Sequence, residues 1–315
     1  MIEINHLSKW YGNHLALDDL TVTVEKGKIY GFLGPNGAGK STTMNIVAGC
    51  LAASEGSVKV CGYDIFQQPI QAKRCIGYLP EIPPVYPDMT PTEYLGFIAA
   101  ARGIPAAQRY YEIRLAMEKT GIAHMSRRLI KNLSKGYRQR VGLAGAILGD
   151  PEVIILDEPT VGLDPIQIIE IRELITSLAE DHTVILSSHI LSEVSAVCDR
   201  ILIMSKGKLL ANDTPDNLRR LLGHTSSVSM TLLAEEGLCR AVLTPLGAER
   251  LELETEGDRT RVLIESSAVE DLQEKAARAL AREGIPVLAM SAGGAGSLED
   301  IFLEVTRQRE GGDET

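Results

Sequence analysis

The sequence predicts an α/β fold followed by a smaller α+β domain, and three observations carry that expectation. Residues 29–33 (Ile-Tyr-Gly-Phe-Leu) run as a strand into a glycine-rich loop, and a helix over residues 41–48 leaves it. The uninterrupted apolar runs 153–156 and 183–186 read as strands buried on both faces of a parallel sheet. Beyond residue 222, strands and helices follow the order β-α-β-β-α-β, that of a small ferredoxin-like sandwich. A length of 315 residues fits two domains better than one, and a hydrophobic content of 44% supplies a sizeable core.

The glycine loop organises the chain. Gly34-Pro35-Asn36-Gly37-Ala38-Gly39-Lys40-Ser41-Thr42 fits the phosphate-loop pattern G-x-x-x-x-G-K-[ST]. Its glycines let backbone N–H groups turn toward anionic oxygens, and the positive end of the following helix adds to that field. Lys40 can reach the β- and γ-phosphates and the Ser41 hydroxyl can ligate Mg²⁺. Nucleoside triphosphate binding is the expectation.

Bulk properties narrow the class. There is no apolar run of about 18 residues, so no transmembrane helix is expected, and no basic-then-apolar leader opens the chain. The five cysteines, Cys50, Cys61, Cys75, Cys198 and Cys239, form no C-x-x-C pair; they read as small apolar residues in a reducing cytosol. The net charge is −10, yet residues 226–315 hold 9 Lys and Arg against 18 Asp and Glu. The phosphate-loop part is thus near neutral and the remainder acidic, and neither suits non-specific binding to nucleic acid or anionic lipid.

Taken in order, residues 2–8 and 17–24 read as strands, with Leu20, Val22 and Val24 alternating with threonines. Tyr11 reads either as a packing residue or as an aromatic able to stack on adenine. Residues 56–60 and 76–79 are further strands. Four prolines in residues 80–87 exclude helix and central strand there. That stretch is an exposed, partly apolar loop, either a connector or a docking surface. Thr90, Pro91 and Glu93 start a helix with a capping box, and residues 107–120 form another, ended by Gly121. Residues 88–150 therefore form an inserted helical subdomain. Leu133-Ser134-Lys135-Gly136-Tyr137 opens its last helix with Ser134 as N-cap; alone, this is a well-capped amphipathic helix.

Asp157 and Glu158 follow the buried strand 153–156, at the edge where open α/β sheets bind ligands. An acidic pair there is commonly a helix cap. Beside a phosphate loop, Asp157 suits Mg²⁺ ligation and Glu158 suits polarising a water aimed at the γ-phosphate. Asp164-Pro165 caps a helix with Ile168, Ile171, Ile175 and Leu178 on one face. His189 follows the strand 183–186 at the same sheet edge. Residues 200–205 and 208–211 form a hairpin around Lys206-Gly207.

Five stretches in this order resemble the nucleotide-binding subunit of an ATP-binding cassette transporter, over roughly residues 1–222. The resemblance implies a phosphate-loop ATPase core with a mixed sheet, an antiparallel β subdomain and the helical insert at about 88–150. It implies ATP and Mg²⁺ as cofactors. Tyr11 becomes the adenine-stacking aromatic and residues 34–42 the Walker A loop. Leu133, Ser134, Lys135, Gly136 and Tyr137 become the signature, with Lys135 in its variable third place. Asp157 is the Walker B aspartate, Glu158 the catalytic glutamate, Asp164 part of the D-loop and His189 the switch histidine. Glu81 stands where the family usually carries a lid-loop glutamine. A carboxylate can face Mg²⁺ but cannot donate a hydrogen bond unless protonated.

The signature also implies assembly, because in the family each ATP lies between the Walker A loop of one subunit and the signature of another. The expected partners are a second cassette and an integral-membrane permease, not nucleic acid. The expected place is the cytoplasmic face of the cell membrane. Residues 223–315 fall outside the core resemblance, and the stretch from Ser297 to Phe302 is similar to the tails of bacterial exporter cassettes. A helix over 297–308 and a disordered tail are expected there. The leading expectation is an ATP-hydrolysing transport subunit, with export favoured. The alternative is a soluble cassette protein acting on the ribosome or nucleic acid; such proteins commonly carry two cassettes, whereas this chain has one.

Overall fold

Among the described residues, three sheets organise the chain in the computed structural model, which describes residues 1–221, 226–266 and 272–293. Two compact units divide it, Met1–Thr214 and Pro215–Thr315.

In the first unit, β1 (Ile2–Tyr11) and β2 (His14–Val24) pair antiparallel, and β3 (Ile29–Leu33) leads to α1 (Lys40–Val47). β4 (Glu55–Val60) and β5 (Tyr63–Asp64) complete a four-stranded antiparallel sheet of order β2-β1-β4-β5. After α2 (Pro69–Arg74), β6 (Ile76–Leu79) joins the second sheet. The helical insert follows as α3 (Pro91–Ala101), α4 (Ala106–Lys119) and α5 (Lys135–Ile147). Then come β7 (Val153–Leu156), α6 (Pro165–Leu178), β8 (Thr183–Ser188), α7 (Leu191–Val197), β9 (Arg200–Ser205) and β10 (Lys208–Asp213). The second sheet has the order β10-β9-β3-β8-β7-β6, parallel throughout except for β10.

Local chemistry explains these elements. Leu20, Val22 and Val24 of β2 point inward while Thr21 and Thr23 stay exposed, the two-residue period of a half-buried strand. All four residues of β7 are buried, as expected for a strand covered on both faces. The two sheets share a core that includes Ile4, Leu20, Phe32, Met44 and Leu202. Helix α3 starts with the expected capping box: Thr90 Oγ1 accepts from the Glu93 N–H at 3.3 Å, and a Glu93 carboxylate oxygen accepts from the Thr90 N–H at 2.8 Å. The Thr90 N–H bond, with a second from the Thr90 hydroxyl at 2.9 Å, holds the Glu93 carboxyl below its usual range.

Some details of the first unit differ from expectation. The buried face of α6 is Ile171, Leu174, Ile175 and Leu178, so Leu174 takes the place assigned to Ile168. β1 and β2 reach three residues further toward each other, to Tyr11 and His14, because register shifts along the pair break the simple alternation.

The second unit opens with α8 (Pro215–Leu221). β11 (Ser226–Leu232), α9 (Glu236–Leu243), β12 (Arg250–Glu256), β13 (Arg259–Ser266), α10 (Leu272–Arg282) and β14 (Val287–Gly293) follow. The sheet is antiparallel with order β12-β13-β11-β14. β13 thus lies between the two strands joined by α9, the split arrangement expected of a ferredoxin-like sandwich. Its core joins Cys239, Leu243, Leu272, Ala276 and Leu280 of the helices to Val228, Met230, Leu232, Val262 and Ile264 of the sheet. The helix expected over 235–246 ends at Leu243 and continues as a 3₁₀ turn to Leu246. The expected 297–308 helix and the tail lie outside the described residues.

Candidate functional site

Four neighbouring parallel strands, β3, β8, β7 and β6, end at one sheet edge, and each releases a candidate residue there. The loop after β3 turns through Gly37 at φ 83° and Gly39 at φ 102°, conformations that L side chains rarely adopt. Gly39 is the N-cap of α1, so this turn aims the first N–H groups of the helix at the edge. Lys40 is 5% exposed; its Nζ donates to the Gly34 carbonyl at 2.9 Å and the Pro35 carbonyl at 3.3 Å. Ser41, one residue on, donates through Oγ to Asp157 Oδ1 at 3.0 Å.

Asp157 and Glu158 leave β7 buried, at 3% and 6% exposure. Ser187, near the end of β8, donates to Asp157 Oδ1 at 2.6 Å and accepts from the Glu158 N–H at 2.9 Å. Glu158 adopts a left-handed φ of 48°, a strained conformation for a residue with a Cβ that costs of order 1–3 kcal/mol. Its carboxylate is held between two partners: Oε2 lies 3.0 Å from His189 Nδ1, and Oε1 lies 3.5 Å from Lys40 Nζ. Tyr78, on β6, donates its hydroxyl to Asn45 Oδ1 at 3.3 Å, and Asn45 in turn bonds the Ser41 carbonyl. Burial first, and the Asp157 charge next, push the Tyr78 phenol well above its ordinary range.

A cavity of about 390 Å³ opens over this edge. Tyr11, Asn36, Gly37, Gly39, Lys40, Ser41, Thr42, Glu81, Glu158 and His189 line it. Gly34, Pro35 and Ala38 shape the loop from behind, Ala38 being 2% exposed. Tyr11 is half exposed at the rim, with Lys9 Nζ 5.3 Å from its ring centre. Three lining residues were not expected: His14, Ala16 and Val161. The first two belong to the part of β2 that the alternation did not reveal. Hard oxygens of Ser41 and Asp157, beside more buried carboxylate than buried ammonium, fit a divalent cation of the Mg²⁺ type.

The signature and D-loop residues stand apart from this cavity. Ser134 caps α5, accepting from the Tyr137 N–H at 3.3 Å, and is exposed. Gly136, Tyr137 and Asp164 line a separate cavity of about 750 Å³. Asp164 caps α6 by accepting from the Gln167 N–H at 2.9 Å. Leu133 is buried, and Lys135 lies against Gly162 and lines a third hollow with Glu81. One chain therefore does not bring the signature onto the Lys40 cavity.

At the opposite ends of the strands, Cys61, Cys75 and Glu152 place donor atoms within 4.8 Å of one another. Burial, with Cys75 and Glu152 adding, pushes the Cys61 thiol up to about 12, so it stays protonated near neutral pH. All five cysteines are free. No helix among the described residues is long and apolar enough to cross a membrane.

Comparison with known proteins agrees with this geometry. A family model described as "ABC transporter" matches residues 17–161. A model of an AAA domain, described as a putative AbiEii toxin of a type IV toxin–antitoxin system, matches residues 128–195. The bacitracin transport ATP-binding protein BcrA of Bacillus licheniformis is 40% identical over 222 residues, 70% of this chain and 72% of that protein. The lantibiotic transport ATP-binding protein SrtF of Streptococcus pyogenes is 36% identical over 228 residues, 71% of this chain and 96% of that protein. A solved structure of an ATP-binding subunit of an ABC transporter superposes with a TM-score of 0.64 at 31% identity, covering 70% of this chain and 92% of the other.

Proposed function

Since this chain belongs to the ABC transporter family, we propose that it hydrolyses ATP to ADP and phosphate at the Lys40 cavity and so powers a separate membrane permease, in the direction of export. The observation that carries the reading is Glu158 Oε2 within 3.0 Å of His189 Nδ1, beside the Ser41–Asp157 bond.

In this mechanism Tyr11 stacks on adenine at the rim, and the N–H groups of residues 36–42 cradle the phosphates. Lys40 moves its ammonium from loop carbonyls to phosphate oxygens. Ser41 and Asp157, with Glu81 nearby, would hold Mg²⁺, which supplies charge neutralisation on the β- and γ-phosphates. Glu158 accepts a hydrogen bond from the attacking water and orients it. His189 keeps Nδ1 on Glu158, so Nε2 remains available to the γ-phosphate. The buried setting strengthens these interactions relative to water.

Ser134 and Gly136 lie outside the Lys40 cavity of their own chain. In a head-to-tail pair of cassettes, they complete the partner's site, and Asp164 lies at the junction. The permease contact is assigned to the proline loop. Ile82 there is 81% exposed, beside a hollow of about 330 Å³ lined by Pro83, Val85, Lys131 and Arg138. Edge-on ring contacts of Tyr86 with Tyr94 and Phe97 fasten that loop to α3, so motion at Glu81 reaches it. The names of the bacitracin and lantibiotic relatives support a peptide-like cargo leaving the cell.

The test is affinity purification of tagged Glu158→Gln chain with ATP from detergent-solubilised membranes. A multi-spanning membrane partner is expected. Recovery of ribosomal proteins or nucleic acid without such a partner overturns the transport reading.

A further inference from the structure

A buried carboxylate next to the site has no part in the mechanism above. Glu193, on α7, is 7% exposed. Among the described residues it forms no ion pair. Instead, its Oε2 accepts two hydroxyl hydrogen bonds, from Thr160 Oγ1 at 2.5 Å and from Ser188 Oγ at 3.2 Å. The first has the length of a charge-assisted O–H···O⁻ bond. Ser188 Oγ also accepts from the Ile190 N–H at 3.0 Å, so the network spans residues on both sides of His189. Burying a carboxylate without a cation is unfavourable, and the hydroxyl bonds offset that cost only while both loops hold their places.

The two residues it joins are informative. Thr160 lies two positions after Glu158, whose strained left-handed φ of 48° needs holding from both sides. Ser187 holds the Glu158 N–H, and Glu193 holds the chain just beyond. Ser188 directly precedes His189. The network therefore fixes the separation of the loops that carry Glu158 and His189, whose side chains meet at 3.0 Å.

We propose that Glu193 is a positioning residue for ATP hydrolysis, locking the Glu158 loop to the His189 loop through Thr160 and Ser188. It touches neither nucleotide nor water. This inference rests on the roles assigned to Glu158 and His189 above.

Misplacing aligned catalytic groups by about 1 Å can cost 10²-fold. Glu193→Ala should therefore lower kcat roughly 10- to 100-fold, with KM for ATP within about twofold, because the phosphate loop is untouched. Thr160→Val, a milder change, should reproduce the loss, and Thr160→Ser, which restores the hydroxyl, should recover most of it. In a His189→Ala background, Glu193→Ala should add little. A second readout needs no hydrolysis: the ring ¹⁵N signals of His189, which report its bond to Glu158, should move in Glu193→Ala and Thr160→Val and stay in Thr160→Ser. Unchanged ¹⁵N signals, or equal losses of kcat with and without His189, overturn the proposal and leave Glu193 a packing residue. Normal turnover in Glu158→Gln would instead overturn the functional reading, while the ¹⁵N result still decides the positioning claim.

Discussion

The two units of the chain bury their polar groups differently. Met1–Thr214 buries Lys40, Asp157, Glu158 and Glu193, all at or next to one sheet edge. Among the described residues of the second unit, the buried polar side chains are Thr260 and Ser266, and neither is charged. Burying charge is costly unless the charges are paired or bonded. A fold needing only stability does not concentrate it, and the described residues of the ferredoxin-like unit do without it. Concentrated buried charge marks the chemistry of this molecule; the second unit carries shape and a largely apolar core.

That contrast predicts where mutations will separate function from stability. The largest effect should come from Lys40→Ala. Hydrogen bonds to charged groups contribute about 1.5–3 kcal/mol each, so losing two phosphate contacts should weaken ATP binding roughly 100-fold or more. Isothermal titration with the two proteins checks this, and unchanged affinity would break the assignment of the loop. Next, Leu280→Ala in the second core should cost about 2–5 kcal/mol in that unit's unfolding. ATP turnover per folded molecule should stay within about twofold of the parent, so a large fall in kcat would erase the contrast between the units. Leu280 is fully buried, so a silent result in denaturant melts would contradict the packing.

The smallest expected effect concerns the capping box on α3. Thr90→Ala should cost about 1 kcal/mol of stability. The Glu93 carboxyl is lowered in the folded state by its bonds to Thr90. Its contribution is therefore present above the unfolded carboxylate pKa of about 4.3 and is lost as pH falls through the lower folded value. Alanine keeps the backbone N–H bond and loses only the hydroxyl bond to the carboxylate, so chemical melts at neutral and acid pH should show a modest narrowing of the gap between the parent and Thr90→Ala as the pH drops. A gap that widens in acid would contradict this sign.

Much of the site was legible because its residues stand in short contiguous stretches. The strand, glycine loop and helix around Lys40 declare themselves in residues 29–48, and the run 153–156 delivers Asp157 and Glu158 directly. The C-terminal sheet order followed from element order because crossover connections leave few alternatives. What sequence reading missed depends on contacts distant along the chain. Glu193 meets Thr160 across 33 positions, and no spacing rule encodes that bond. The place of Glu193 in the first turn of α7, four residues after His189, was the available signal. His14 and Ala16 were hidden by the register shifts of β1 and β2. The separation of Ser134 from the Lys40 cavity, by contrast, was implied by the resemblance, which puts the signature on another subunit's ATP, and the folded insert places it on a different cavity.

The most direct test of this account is phosphate release by Glu158→Gln, measured beside ATP binding in the same preparation. Glu158 is held by His189 and Lys40 at the buried edge, and general-base contributions typically reach about 10²–10⁴-fold. The account predicts turnover at least about 100-fold below the parent with ATP affinity retained. Near-normal phosphate release with intact binding would contradict it, and would remove Glu158 from the centre of the chemistry.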